Sequence, residues 1–176
     1  ISESTERITG LVNKMLELSD ANSRQVIERN DNIAALAIAT QAVEHAGIQH
    51  DVHIKFQLQT DDQAETNVHT NLRSATRALT LLLDNARKFT KEGEVRLRIQ
   101  QQPKTIDFIV EDTGIGVPVQ KAEHIFDEFV QLDEYYDGTG IGLTVARSIA
   151  RRLGGDIVLD TSYTGGARFV MTLPKE

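Results

Sequence analysis

Three stretches of this chain alternate apolar and polar side chains, with Ile109 the one apolar interruption. That period of two restricts the fold more than any other feature, because successive side chains of an extended strand point to opposite faces. Val52, Ile54, Phe56 and Leu58 alternate with His53, Lys55 and Gln57; Val95, Leu97 and Ile99 take every second place in 94–101; Ile106, Phe108 and Val110 do so in 105–112. Each is therefore a strand with one buried face. Pro103, between the second and third, marks a hairpin turn. A brief strand is expected near Val68, and 157–161 with 168–173 read as a closing hairpin around Gly165-Gly166.

Helical patterns lie between the strands. An Ala-rich apolar run from Ile33 to Ala46 stops at Gly47, where glycine can take the left-handed conformation that ends a helix. A second helix, strongly apolar on one side, is predicted from about 71 to 89, and Gly93 cannot prolong it. A short helix is expected over 119–126, and another from about 141 to 153, closed by Gly154-Gly155. With no internal repeat, residues 29–176 read as one α+β two-layer sandwich, a mixed sheet with helices on one face.

Residues 1–28 differ. Ile1, Ile8, Leu11, Met15 and Leu18 are spaced seven, three, four and three apart, the rhythm of a partial coiled-coil-like helix packing on partner helices. A pattern already under way at Ile1 is expected of a piece of something longer.

Of 176 residues, 40% are apolar, enough for a packed core, and 19 basic against 26 acidic side chains leave a net charge of −7. Such a surface does not suit nucleic-acid phosphates or anionic lipid, so no nucleic-acid partner is expected. The absence of cysteine excludes disulfides, thiolate metal sites and thiol nucleophiles, and agrees with a reducing compartment. The longest unbroken apolar stretch, Ile33 to Ala39, falls far short of the roughly 20 residues of a membrane span. A cytoplasmic location is the expectation.

Two glycine clusters and one helix end could carry chemistry. Asp112-Thr113-Gly114-Ile115-Gly116 follows a buried strand; its carboxylate could accept from an exocyclic amine such as adenine's, or simply bond its own turn. Gly138-Thr139-Gly140-Ile141-Gly142 precedes a helix whose free N–H groups could face a phosphate, but it lacks the dinucleotide spacing, and no Walker loop occurs. On the helix before them, Asn85 and Lys88 share a face, with Arg87 beside them; an amide oxygen suits Mg²⁺, while an ammonium suits a phosphate or merely the helix dipole.

Taken in order, Asn85-Ala-x-Lys88-Phe-Thr, Asp112-x-Gly-x-Gly, Phe126-x-x-Phe129 and Gly138-x-Gly-x-Gly142 resemble the N, G1, F and G2 boxes of the catalytic ATP-binding domain of bacterial sensor histidine kinases. That resemblance covers nearly the whole chain. It implies a Bergerat-type ATP-binding fold over 29–176, preceded by the second helix of the dimerisation and phosphoacceptor hairpin over 1–28. It also implies a Mg·ATP site in which Asn85 coordinates Mg²⁺, Lys88 contacts phosphate and Asp112 accepts from the adenine amine. Gly114 and Gly116 would let the base lie close to the backbone, and Gly138, Thr139, Gly140, Gly142 and Leu143 would receive the triphosphate. Phe126 and Phe129 would anchor a lid. The implied partners are the protein's own phosphoacceptor hairpin, a response-regulator receiver domain and, in the full-length protein, a second copy.

Three departures from the family pattern shape the expectation. Leu81 stands four residues before Asn85, where the family has a polar residue and the Hsp90 and gyrase relatives a water-activating Glu; leucine cannot act as a base, so efficient ATP hydrolysis by water is not expected. Between Pro118 and Asp137 stand six acids and one base, Lys121, which makes the lid repel a bare triphosphate. None of His45, His50, His53, His69 and His124 has the phosphoacceptor context, which places the acceptor upstream of Ile1 and leaves a fragment that does not label itself. A catalytically silent module, binding nucleotide or only its partner helices, is the alternative reading.

Overall fold

The computed structural model describes residues 25–60, 66–122, 124–127 and 142–176. In chain order these form β1 (Asp31–Ala34), α1 (Ala35–Ala46), β2 (Ile54–Thr60), β3 (Asn67–Thr70), α2 (Leu72–Phe89), β4 (Gly93–Gln101), β5 (Thr105–Asp112), α3 (Gly142–Arg152), β6 (Asp156–Leu159) and β7 (Arg168–Pro174). Five strands build one mixed sheet in the order β2-β4-β5-β7-β6. Only β2 and β4 run parallel; the other pairs are antiparallel. A small antiparallel ribbon, β1 with β3, stands apart from it.

The predicted alternation fixes which face is covered. Val95, Leu97, Ile99, Ile106, Phe108, Val110, Phe169, Met171 and Leu173 all enter the core. The same core receives Ile38, Ala42, Leu79, Leu82, Leu83, Ala146 and Ile149 from the three helices. Leu81 packs half-buried against it. Helices α2 and α3 carry their apolar side chains at spacings of three and four, so one stripe meets the sheet. The molecule is an α+β sandwich of two layers, helices on one face.

Local signals account for the helix ends. Asn71 caps α2, its Oδ1 accepting from the Ser74 N–H at 3.0 Å, while the Leu72 N–H donates to Asp31 Oδ2 at 2.8 Å. Gly47 closes α1 at φ 66° and returns its N–H to Val43 and Glu44. Arg87 then donates to the Ala46 carbonyl at 2.9 Å, which ties the end of α1 to the end of α2.

Four expectations change. The helix expected to reach about Glu28 does not include residues 25–28. Residues 25–30 form no regular element and are held from outside, with the Ile27 N–H on the Arg152 carbonyl at 3.1 Å and Arg29 Nη1 on the Glu176 carbonyl at 2.8 Å. Residues 1–24, and with them the rest of that expected helix and of the proposed 1–28 division, lie outside the described residues. Ile33 and Ala34 belong to a strand, not to the helix that follows, because they pair with Val68 and Asn67. Val52, counted among the inward positions of its strand, is 91% exposed: Asp51 Oδ1 takes the His53 N–H and turns the chain before β2 begins. Over 119–126 there is one 3₁₀ turn, Val119–Lys121, followed by further turns.

Candidate nucleotide site

Helix α2 brings Asn85 and Lys88 to its C-terminal end. Asn85 is half-buried, with no side-chain hydrogen bond among the described residues; Lys88 is exposed. Asp84, the half-buried residue before Asn85, is lifted above the ordinary carboxylate value by burial, against the pull of Arg87 and Lys88. Thr90 follows the helix with its hydroxyl buried and unpartnered, in a residue 1% exposed. A buried orphan hydroxyl is uncommon and marks a place where another polar group or water belongs.

The end of β5 is sewn to this helix end. The Ile115 N–H donates to the Phe89 carbonyl at 3.2 Å, and the Thr113 N–H to the Glu94 carbonyl at 3.0 Å. Phe89 lies one helical turn beyond Asn85, roughly 6 Å along the axis. The amide of Asn85 and the carboxylate of Asp112 thus belong to the same corner of the fold. At Gly114 a β-carbon would stand 2.1 Å from the Phe89 carbonyl oxygen and 2.8 Å from the Thr90 hydroxyl. Glycine is required there by the approach of two backbones, beyond any space that it leaves for a base.

Asp112 is 2% exposed and its carboxylate is held asymmetrically. Oδ1 accepts from the main-chain N–H groups of Gly114 (3.0 Å) and Ala167 (3.1 Å), leaving Oδ2 without a partner among the described residues. Its main-chain N–H donates to the Ala167 carbonyl at 2.9 Å, and its carbonyl accepts from the Tyr163 hydroxyl at 3.2 Å. Burial raises the carboxyl above its usual value, against the two N–H bonds, which lower it. A buried, pinned carboxylate with one unused oxygen is an acceptor awaiting a donor.

The other predicted residues divide. Gly116 takes φ 71°, and a β-carbon there would lie 3.2 Å from the Gly166 carbonyl oxygen. Gly142 opens α3 with open space beside it. Leu143 is in the core, so what it can offer a phosphate is its main-chain N–H. Phe126 packs edge-on against Phe169, centroids 6.1 Å apart, beneath the Arg147 guanidinium at 4.3 Å; its carbonyl accepts from Thr144 Oγ1 at 2.7 Å. That anchors the start of the segment leading to α3. Gly138, Thr139, Gly140 and Phe129 lie outside the described residues.

Sequence reasoning passed over Tyr163, Thr90 and Asp84, and took Ala167 only as part of the glycine turn of the last hairpin, not as a partner of Asp112. Ala167 contributes only main-chain groups, which no side-chain pattern reveals. Thr90 lies in the recognised Asn-Ala-x-Lys-Phe-Thr stretch, and its position at the helix end was the available signal. No group of three or more His, Asp or Glu side chains suited to a metal occurs among the described residues. A cation here would depend on an amide such as Asn85's together with ligand phosphates and water, and its half-buried, unpartnered side chain fits that part.

The raised carboxyl of Asp112 sets a pH dependence. In the role that the resemblance implies for Asp112, Oδ2 accepts the adenine amine only while ionised, so adenosine affinity should fall as pH drops through a window lying above 3.8. Asp112→Asn should show no such fall in that window. Titrating adenosine into both proteins at stepped pH checks it.

A model of the family described as "Histidine kinase-, DNA gyrase B-, and HSP90-like ATPase" matches residues 70–176. The chain is 27% identical over 177 residues to the sensor histidine kinase WalK of Bacillus subtilis, covering 97% of this chain and 29% of WalK. It is 37% identical over 98 residues to the aerobic respiration control sensor protein ArcB of Escherichia coli, covering 52% of this chain and 13% of ArcB. It spans less than a third of the length of these relatives. Among solved structures, the Acinetobacter baumannii histidine kinase AdeS is similar with a TM-score of 0.77 at 19% identity, over 99% of this chain and 81% of that one. The mycobacterial sensor histidine kinase MprB follows at 0.73 and 22%, over 82% and 97%. At those identities the likeness is one of fold. No described helix is long and apolar enough to cross a membrane. With the family's model spanning both the α2 end and the Asp112 turn, the chain belongs to the histidine kinase-, DNA gyrase B- and HSP90-like ATPases, and within them it is similar to the catalytic domains of sensor histidine kinases.

Proposed function

We propose that this domain binds Mg·ATP in the corner between the end of α2 and the end of β5 and passes the γ-phosphoryl to a histidine of the parent protein's phosphoacceptor hairpin. The observation that carries the reading is Asp112: buried, ionisable, doubly anchored through Oδ1, with Oδ2 open to the exocyclic amine of adenine. Asn85 would hold Mg²⁺ and Lys88 a phosphate, with the first N–H groups of α3 and residues 138–140 receiving the remainder. Mg²⁺, when bound, supplies charge neutralisation across the phosphates. The chain's own part is to orient the nucleotide so that an incoming imidazole nitrogen meets the γ-phosphorus in line with the departing ADP oxygen.

Leu81 packs against the core where a general base would be needed, which favours transfer to a positioned imidazole over attack by water. The partners proposed for the full-length protein are its own hairpin helix, of which 1–28 would be part, a receiver domain that takes the phosphoryl onto an aspartate, and a second copy. We place this domain in the cytoplasm.

Two measurements test the reading. Mg·ATP titrated into the chain should bind, and Asp112→Asn should weaken it about 10- to 100-fold, the loss expected for a hydrogen bond to a charged acceptor; equal affinities would remove the adenine assignment. The full-length protein incubated with γ-labelled ATP should acquire acid-labile phosphate. Binding without labelling would favour the silent module.

A further inference from the structure

The face of the sheet opposite the helices carries a connected set of charged and aromatic side chains directly behind Asp112. Strand register places Arg96, Glu111 and Arg168 side by side across β4, β5 and β7. Glu111, 6% exposed although no helix covers it, receives Arg98 Nε at 2.6 Å on one oxygen and Arg168 Nη2 at 3.3 Å on the other. Arg168 also holds Asp160 through Nη1 at 3.0 Å and lies with its guanidinium 4.4 Å from the centre of the Tyr163 ring. Tyr163 shares the wall of a cavity of about 50 Å³ with Lys55, Gln57, Arg96 and Glu111, which puts its ring on this open face.

From there the Tyr163 hydroxyl reaches the one main-chain group of Asp112 that the sheet leaves unpaired. β5 ends at Asp112, and its carbonyl accepts from Tyr163 at 3.2 Å. The hairpin between β6 and β7 is pressed against the same carbonyl: a β-carbon at Gly166 would stand 2.0 Å from it. Asp112 is therefore gripped from both sides, its side chain by Gly114 and Ala167, and its backbone by Ala167 and Tyr163.

We propose that Tyr163, held by the Arg98–Glu111–Arg168 chain on the open face, is a positioning residue that fixes the Asp112 backbone and so aims Oδ2 at the base amine. This rests on the adenine reading above. It predicts an effect that depends on the amine itself. A carboxylate able to rock about an unpinned carbonyl loses alignment with a hydrogen-bond donor, whereas a base without that donor has nothing to lose.

The test compares Mg·ATP with the Mg complex of purine riboside triphosphate, which lacks the exocyclic amine, on the wild-type chain, Tyr163→Phe and Asp112→Asn. Phenylalanine keeps the ring against Arg168 and removes only the hydroxyl. Tyr163→Phe is expected to weaken ATP about three- to tenfold, the effect of one lost hydrogen bond, and to leave the analogue within about twofold. Asp112→Asn should erase the preference for ATP over the analogue altogether. Arg168→Gln, which releases Tyr163 while leaving its hydroxyl in place, should reproduce the selective loss in weaker form. If Tyr163→Phe weakens both nucleotides alike, or neither, while Asp112→Asn erases the preference, the positioning role is overturned and the adenine site stands. If Asp112→Asn leaves the preference intact, the adenine reading itself fails.

Discussion

Asp112→Ala is expected to abolish measurable Mg·ATP binding and to weaken the fold by about 2–4 kcal/mol, because it strips the partner from two buried main-chain N–H groups, at about 1–3 kcal/mol each. Those groups belong to Gly114 and Ala167. Part of the loss is offset, since alanine no longer has to bury a carboxylate whose ionisation burial already disfavours. Asp112→Asn separates the two effects. Its carbonyl oxygen can keep both N–H bonds, so stability should change little, while its NH₂ meets the base amine donor to donor. Urea unfolding beside calorimetric titration of both variants checks the division; a fully stable alanine variant would show that Oδ1 does not hold the turn.

Gly114→Ala should be nearly as damaging by a different route. Its β-carbon would arrive 2.1 Å from a main-chain carbonyl oxygen at the end of α2, and a backbone atom cannot swing aside as a side chain does. Overpacking of this kind costs typically 1–3 kcal/mol, occasionally more, and we expect about 3. The helix end and the Asp112 turn would be forced apart, so nucleotide affinity should fall at least tenfold even in molecules that remain folded. Gly142→Ala is the contrasting case, with open space beside it. A chain in which both alanines were equally tolerated would refute the close approach.

These two residues also show what the sequence carried. Asp112 was singled out by the order of the four boxes, because a carboxylate closing a strand before two glycines reads by itself equally well as a turn that bonds its own backbone. The role of Gly114 was legible only in kind: the pattern says that a β-carbon is excluded, and only the fold says that Phe89 excludes it. The sheet, its covered face and the long helices followed from periodicity, since one buried face imposes a single repeat along each element. What periodicity could not supply came from contacts distant in sequence. Val52 obeys the alternation and still lies outside, because the turn at Asp51 precedes the strand. Ile33 and Ala34 look helical beside their alanine neighbours, yet pair with residues 67 and 68. Tyr163 stands 51 residues from the carbonyl it grips, in a turn with no pattern to announce it.

The single parallel pairing in the sheet has one further consequence. Two neighbouring strands that point the same way oblige the chain to travel back along the whole sheet between them, and α2 makes that return from β2 to β4. The amide and ammonium at its end therefore ride on a crossover whose apolar stripe, Leu79, Leu82, Leu83 and Ala86, is buried against the sheet. Of the groups proposed to surround the nucleotide, those on α2 form the fixed jaw.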